Sequence, residues 1–276
     1  MKKIRLALLD MYDGLPNQGM RAIREILDGF KDEIEYTEFD IRAKNELPGL
    51  DYQIYISSGG PDDPNETDAQ WAVNWNSLID DLWKHNLATP NVEDRKYVFF
   101  ICHSFQMACL HFDLGEVTKR KATAFGIYPC HKTSDGREDS LLEELNDPYF
   151  VVDSRDWQLV QPHLKVFKKW GAKILSLEKI RTHVEYERAI MAVRFSDEIV
   201  GTQYHPEADP FGMLVHFSKP ENKQVVIKNH SVRKYNSMMK GLEHPERIER
   251  TRQSVIPSFL RDALTKLGLS IKEKVE

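Results

Sequence analysis

Five consecutive apolar residues, Tyr97-Val98-Phe99-Phe100-Ile101, run straight into Cys102 and then into His103-Ser104-Phe105-Gln106. A run without alternation has no face to offer water, so it reads as a strand covered on both sides, as in a parallel sheet flanked by helices. Ile4 to Leu9 and Tyr52 to Ile56 are runs of the same buried type, and Glu35 to Asp40 alternates as a more exposed strand. Between them, Gln18 to Leu27 and Thr67 to His85 carry apolar residues at three- and four-residue spacing, which predicts helices. In the second, Trp71, Trp75, Leu78, Ile79 and Leu82 form the stripe. A third helix is expected from His103 to about Leu110. Strand and helix alternating in this way predict an α/β fold with a doubly wound, mostly parallel sheet, whose functional residues lie at the carboxyl ends of strands.

Cys102 stands at such an end, as does the Gly- and Pro-rich turn Ser57-Ser58-Gly59-Gly60-Pro61-Asp62 that follows Tyr52 to Ile56. Further strands are expected over Ala172 to Leu177, Ala189 to Phe195 and Ile199 to Tyr204, the last delivering His205. No firm assignment emerges between about Gly115 and Phe150. After Phe217 the chain turns charged and helical, with helices expected around Val225 to Lys240 and Glu246 to Leu267. The expected organisation is one α/β domain over residues 1–217 and a helical extension over 218–276.

Charge narrows the function classes. The 276 residues carry a formal net charge of -5, with Lys and Arg interspersed among Asp and Glu, so no basic footprint for nucleic acid is present. No stretch of about 18 apolar residues occurs, which argues against a membrane span. Asp10 and Asp13 interrupt the N-terminal apolar run too early for a signal-peptide core. Three cysteines, Cys102, Cys109 and Cys130, fit free thiols in a reducing compartment, so a cytoplasmic location is expected. His103, His111 and His131 lack ligand spacing and His183, His205 and His216 are dispersed, so neither a metal nor a cofactor is expected.

A thiol of ordinary pKa near 8.5 is only a few per cent ionised at neutral pH and needs a base or a helix N-terminus to become a nucleophile. The helix after Cys102 offers its N-terminal N–H groups, and His205 offers a base. Glu207 lies two residues on, so along an extended segment it points the same way as His205 and can fix its tautomer. The N–H groups of Gly60 and His103 are the natural oxyanion donors. Each motif has a plainer explanation: a cysteine ending a buried strand is usually a small core residue, and Gly-Gly-Pro is usually a turn. Three loops after three predicted strands shift the balance, because one sheet can bring them together.

These motifs resemble those of the class I glutamine amidotransferases. The resemblance rests on Ser58-Gly59-Gly60-Pro61, Ile101-Cys102-His103-Ser104-Phe105-Gln106 and Gly201-Thr202-Gln203-Tyr204-His205-Pro206-Glu207, and spans roughly residues 1–217. It implies a flavodoxin-like three-layer fold and a Cys102-His205-Glu207 triad that releases ammonia from glutamine or a related γ-glutamyl compound. It also implies Gly60 and His103 as the oxyanion hole, and Gln106 and Ser154 as substrate-binding residues. At 155 the usual histidine is replaced by Arg155, and at the elbow Phe100 and Ser104 stand where the family has glycine. Within the family, the resemblance is to GMP-synthase-like amidotransferase domains. No Gly-x-x-x-x-Gly-Lys-Ser/Thr loop is present, so an ammonia-using synthetase is expected on another polypeptide, and the extension leaves open self-association, partner docking or a cover over the sheet. Phe-Ile-Cys is also similar to the elbow of the homoserine O-acyltransferases, which implies acyl transfer through Cys102 as an alternative. A non-catalytic binding module is a third.

Overall fold

The computed structural model describes residues 3–14, 17–180 and 187–269, so His183 lies outside the described residues. In chain order the elements are β1 (Ile4–Asp10), α1 (Gln18–Asp28), β2 (Ile34–Asp40), β3 (Ile54–Ser57), α2 (Gln70–Ala88), β4 (Tyr97–Ile101) and α3 (His103–His111). There follow β5 (Glu116–Lys132), α4 (Ser134–Glu138), β6 (Tyr149–Val160), α5 (Leu164–Trp170), β7 (Lys173–Glu178), β8 (Ile190–Arg194) and β9 (Ile199–Thr202). Four helices end the described chain: α6 (Pro210–Ser218), α7 (Pro220–Asn229), α8 (Val232–Leu242) and α9 (Pro245–Lys266).

The nine described strands join one sheet in the order β2-β1-β3-β4-β9-β8-β6-β5-β7. The α/β expectation holds, but "mostly parallel" is corrected. Only β2-β1-β3-β4-β9 runs parallel. From β9 onward every pairing is antiparallel, and β7 pairs with both β5 and β8, so β5 to β8 close on themselves. The connection gives the physical reason: β8 ends at Arg194 and β9 begins at Ile199, too close for the crossover that parallel neighbours need. The closed unit buries charge: Arg155 donates to Asp153 at 2.9 Å and stands 3.6 Å from Glu178, and Arg120 lies 3.5 Å from Glu178. Strands around a charged interior carry no apolar period, which is why β5 and β6 leave no clear trace in the sequence.

Helices cover both faces of the parallel half. On one face, Met20, Ile23 and Leu27 of α1 and Val255, Phe259 and Leu260 of α9 share a core with Leu6, Ile56 and Phe99. On the other, Trp75, Ile79 and Leu82 of α2 and Phe105 of α3 meet Leu9, Tyr55 and Phe100. At roughly 1.5–3 kcal/mol for each fully buried large apolar side chain, these two layers fix where β4 must lie. A third, smaller core joins α6, α7 and α8 to Val152 of β6. The helix expected over 225–240 is split, because Ser231 caps a new helix by accepting from the Lys234 N–H at 3.1 Å. Among the described residues no helix is long and apolar enough to cross a membrane.

Candidate active site

Strand β4 delivers Cys102 on a turn so tight that its backbone adopts φ 49°, ψ −100°, a conformation rarely held by a residue with a Cβ. Such strain persists only where surrounding contacts enforce it, and it is typical of functional positions. Here the Cys102 N–H donates to the Thr202 carbonyl at 2.8 Å, and its own carbonyl accepts from the Gln106 N–H at 3.0 Å. The Ser104 hydroxyl accepts from the Ile101 N–H at 3.0 Å and donates to the Ser57 carbonyl at 2.7 Å, locking the elbow to β3.

Phe100 fits at the elbow because room is made on the neighbouring strand. It lies opposite Gly201 in the β4–β9 ladder, where a Cβ on Gly201 would come within 2.9 Å of the Phe100 Cβ and 2.9 Å of the Phe105 ring. The Phe100 ring then packs against Trp75 at 5.6 Å and Phe195 at 5.7 Å. The bulk at position 100 is thus accommodated by the absence of a side chain at position 201.

His205 follows β9 and is held by its N–H, which donates to the Val152 carbonyl at 2.9 Å. Its Nδ1 lies 2.8 Å from Oε1 of Glu207, which is almost fully buried. Burial by itself would depress the imidazole pKa, but Glu207, Cys102 and Tyr12 outweigh it and hold His205 well above its ordinary value. An imidazolium between a carboxylate and a thiol is the charge state that supports a thiolate nucleophile.

Six residues named from the sequence, Gly60, Cys102, His103, Gln106, Ser154 and His205, line a single cavity of about 320 Å³. Glu207 sits behind His205, on the wall of an adjoining cleft. Gly59 and Gly60 are required for close approach. A Cβ on Gly60 would lie 2.5 Å from the Met11 carbonyl, and one on Gly59 would lie 2.9 Å from both the His205 ring and the Tyr12 hydroxyl. Gln106 lines the cavity, but its amide nitrogen is engaged, donating to the Trp157 carbonyl at 3.1 Å and to Gln203 Oε1 at 3.0 Å. Gln203 in turn directs its own amide N–H at the Cys102 sulfur at 3.8 Å. The Ser154 carbonyl lies 3.9 Å from the same sulfur. His103 is buried, and burial, then the charge of Arg42, pushes its pKa down to about 4, so its ring is neutral at physiological pH. Arg155, in the place of the usual histidine, turns into the charged interior toward Asp153 and Glu178.

Four residues at the cavity or beside the thiol, Tyr12, Gln203, Trp157 and His230, were not singled out from the sequence. Gln203 lies inside the Gln-Tyr-His-Pro-Glu motif and is legible in principle. Tyr12 and His230 reach the site from the end of β1 and from the α7–α8 junction, with no local pattern to announce them. Cys109 and Cys130 are buried, and burial pushes both thiols well up, leaving Cys102 as the thiol that opens on the cavity. Among the described residues no group of three or more His, Cys, Asp or Glu side chains is placed to hold a metal.

The family model for class-I glutamine amidotransferases matches residues 7–213. No curated protein matches the sequence significantly. Among solved structures, a glutamine amidotransferase from Thermotoga maritima superposes with a TM-score of 0.69 at 16% identity, over 96% of this chain and 99% of that one. A glutamine amidotransferase from Methylobacillus flagellatus gives 0.59 at 16%, over 100% and 98%. The glutaminase domain of Trypanosoma brucei CTPS with bound acivicin gives 0.55 at 11%, over 87% and 94%. At these identities the structures establish likeness of fold.

Proposed function

The chain belongs to the class-I glutamine amidotransferase family, and we propose that it hydrolyses the side-chain amide of glutamine, or of a related γ-glutamyl compound, through Cys102. The thiolate attacks the amide carbon, and the N–H groups of Gly60 and His103 receive the developing oxyanion. His205 gives its proton to the leaving nitrogen while Glu207 holds the ring. Water then cleaves the glutamyl thioester, with His205 acting as base. The observation that carries this reading is the convergence of Cys102, Gly60, His103, Gln106, Ser154 and His205 on one cavity, with Glu207 at 2.8 Å behind the imidazole.

Ammonia made here passes to an acceptor enzyme on a separate polypeptide, a GMP-synthase-like arrangement, and the helices after residue 217 offer surface for that partner or for a second copy. The acyl-transfer alternative starts from the Phe100-Ile101-Cys102 elbow and the stretch from Leu141-Leu142 to Ser154-Arg155, and the packing of Phe100 over Gly201 gives Phe100 a role without an acyl substrate. The test is direct. Incubation with glutamine releases glutamate and ammonia, and a glutamine-mimicking alkylator such as acivicin modifies Cys102 alone, as peptide mass spectrometry reads. Labelling of Cys109 or Cys130 with Cys102 untouched, or glutamate release that persists in Cys102→Ala, would sink the proposal.

A further inference from the structure

The Gly60 N–H can serve an oxyanion only if its peptide is held still, and glycine gives the backbone its widest freedom at that point. The upstream side is tied within the sheet. The Ser58 N–H donates to the Leu9 carbonyl at 3.0 Å, and the Ser58 hydroxyl accepts from the Met11 N–H at 3.0 Å and donates to the Gly59 carbonyl at 2.9 Å. That carbonyl shares its peptide plane with the Gly60 N–H. Downstream, the tether comes from another part of the chain. Arg42, two residues past β2, donates from Nη1 to the Pro61 carbonyl at 2.9 Å and from Nη2 to Oδ2 of Asp62 at 2.6 Å. Asp62 sits at φ 76°, a left-handed conformation that a residue with a Cβ keeps when its surroundings impose it.

The guanidinium is itself held in place. The Arg42 side chain is 9% exposed, and its Cζ lies 4.7 Å from the ring centroid of Trp71, at the start of α2. Trp71 in turn lies beside the His103 ring, with centroids 6.5 Å apart. One cation thus grips the loop after β3 and stands, across Trp71, behind the first residue of α3. Its charge adds to burial in keeping the His103 ring neutral. Exposed ion pairs between flexible side chains contribute little to stability. This one differs, because a planar, largely buried fork holds two acceptors on a single loop.

We infer that Arg42 is a positioning residue for the oxyanion hole: by gripping the Pro61 carbonyl and the Asp62 carboxylate, it holds the Gly60 N–H in register with the His103 N–H. This rests on the hydrolase reading above. Arg42 does not line the Cys102 cavity, so it acts through the loop and not on the substrate. The hole engages the substrate oxygen most strongly once charge develops on it, so the loss of Arg42 falls on kcat and spares KM.

The experiment puts Arg42→Met and Arg42→Lys in the whole chain and reads glutamine hydrolysis beside two labels of Cys102. A glutamine analogue with a chloromethyl ketone in place of the carboxamide takes the thiolate at its carbonyl carbon, so its oxygen becomes an alkoxide in the hole before chloride leaves. Iodoacetamide is attacked at its methylene and loses iodide, and no oxyanion forms. For Arg42→Met, kcat falls about thirtyfold or more with KM within about threefold, and labelling by the chloroketone slows to match. Labelling of Cys102 by iodoacetamide stays within about twofold, because that step makes no use of the hole. Arg42→Lys, which keeps the charge without the planar fork, regains part of the lost rate. An unchanged kcat, a rise in KM alone, or equal slowing of both labels overturns this inference, and glutamine turnover by the unaltered chain then leaves the hydrolase reading standing. If urea midpoints show that Arg42→Met does not fold, Asp62→Ala decides at the exposed end of the pair: a fall in kcat of about threefold or more supports the role, and no fall overturns it. An unaltered chain that releases no glutamate, with Cys102 untouched by the chloroketone, overturns both readings.

Discussion

The parallel and antiparallel halves of the sheet meet at β9, and they contribute to the candidate site in different ways. The parallel half presents Gly60, Cys102, Gln203 and His205 just past the ends of β3, β4 and β9, strands buried between two helix layers. The antiparallel half supplies Ser154 and Trp157, and the helices after it supply His230. One half is apolar on both faces and holds strained, closely approached backbone. The other encloses charge and presents longer, more varied side chains. On the proposed chemistry the bond-breaking groups stand on the parallel half beside Gln106, and the other half with the helices after it adds Ser154, Trp157 and His230 to the walls around the substrate.

Substitutions on each side test that arrangement. The largest effect is expected for Glu207→Gln, which leaves His205 without its carboxylate. A fall in kcat of about a thousandfold, roughly 4 kcal/mol of barrier, is expected from steady-state rates. His103 gives the next largest. An ordinary histidine titrates near 6.5 and His103 near 4. Between those values the unfolded chain binds the extra proton, so stability falls as pH drops through that window, by roughly 3 kcal/mol in all. Urea midpoints at pH 7 and pH 4.5 should show the loss, and His103→Phe should flatten it.

Gly201→Ala places a Cβ against Phe100 and Phe105 and is expected to cost about 1–3 kcal/mol. Combined with Phe100→Ala, it should cost less than the two changes added, and strict additivity would refute this accommodation of Phe100. The smallest effect belongs to the antiparallel half. Trp157→Ala should raise KM about tenfold, roughly 1.4 kcal/mol, with kcat little changed. An equal loss in kcat would put Trp157 among the bond-breaking groups.

What could be read from the sequence divides along the same line. The apolar run before Cys102 and the Gln-Tyr-His-Pro-Glu motif after β9 are local signals, and the structure sets both at strand ends beside one cavity. Strands β5 and β6 are not legible, because Asp153 and Arg155 face a charged interior and erase the alternation that marks a strand. Phe100 reads as an obstacle because its compensation, Gly201, lies on another strand about a hundred positions away. Tyr12 and His230 escape a sequence reading because only the folded sheet brings them to the thiol.

The position of β4 has a consequence for how the protein is made. Its edges pair with β3, already synthesised, and with β9, which emerges long afterwards, while Phe99 on its face waits for Phe259, 5.2 Å away in α9. A chain growing on the ribosome thus carries its thiol on an unfinished strand until α9 arrives. Competence for chemistry is a late event in synthesis, and a chain interrupted before α9 would leave that apolar face open to aggregation.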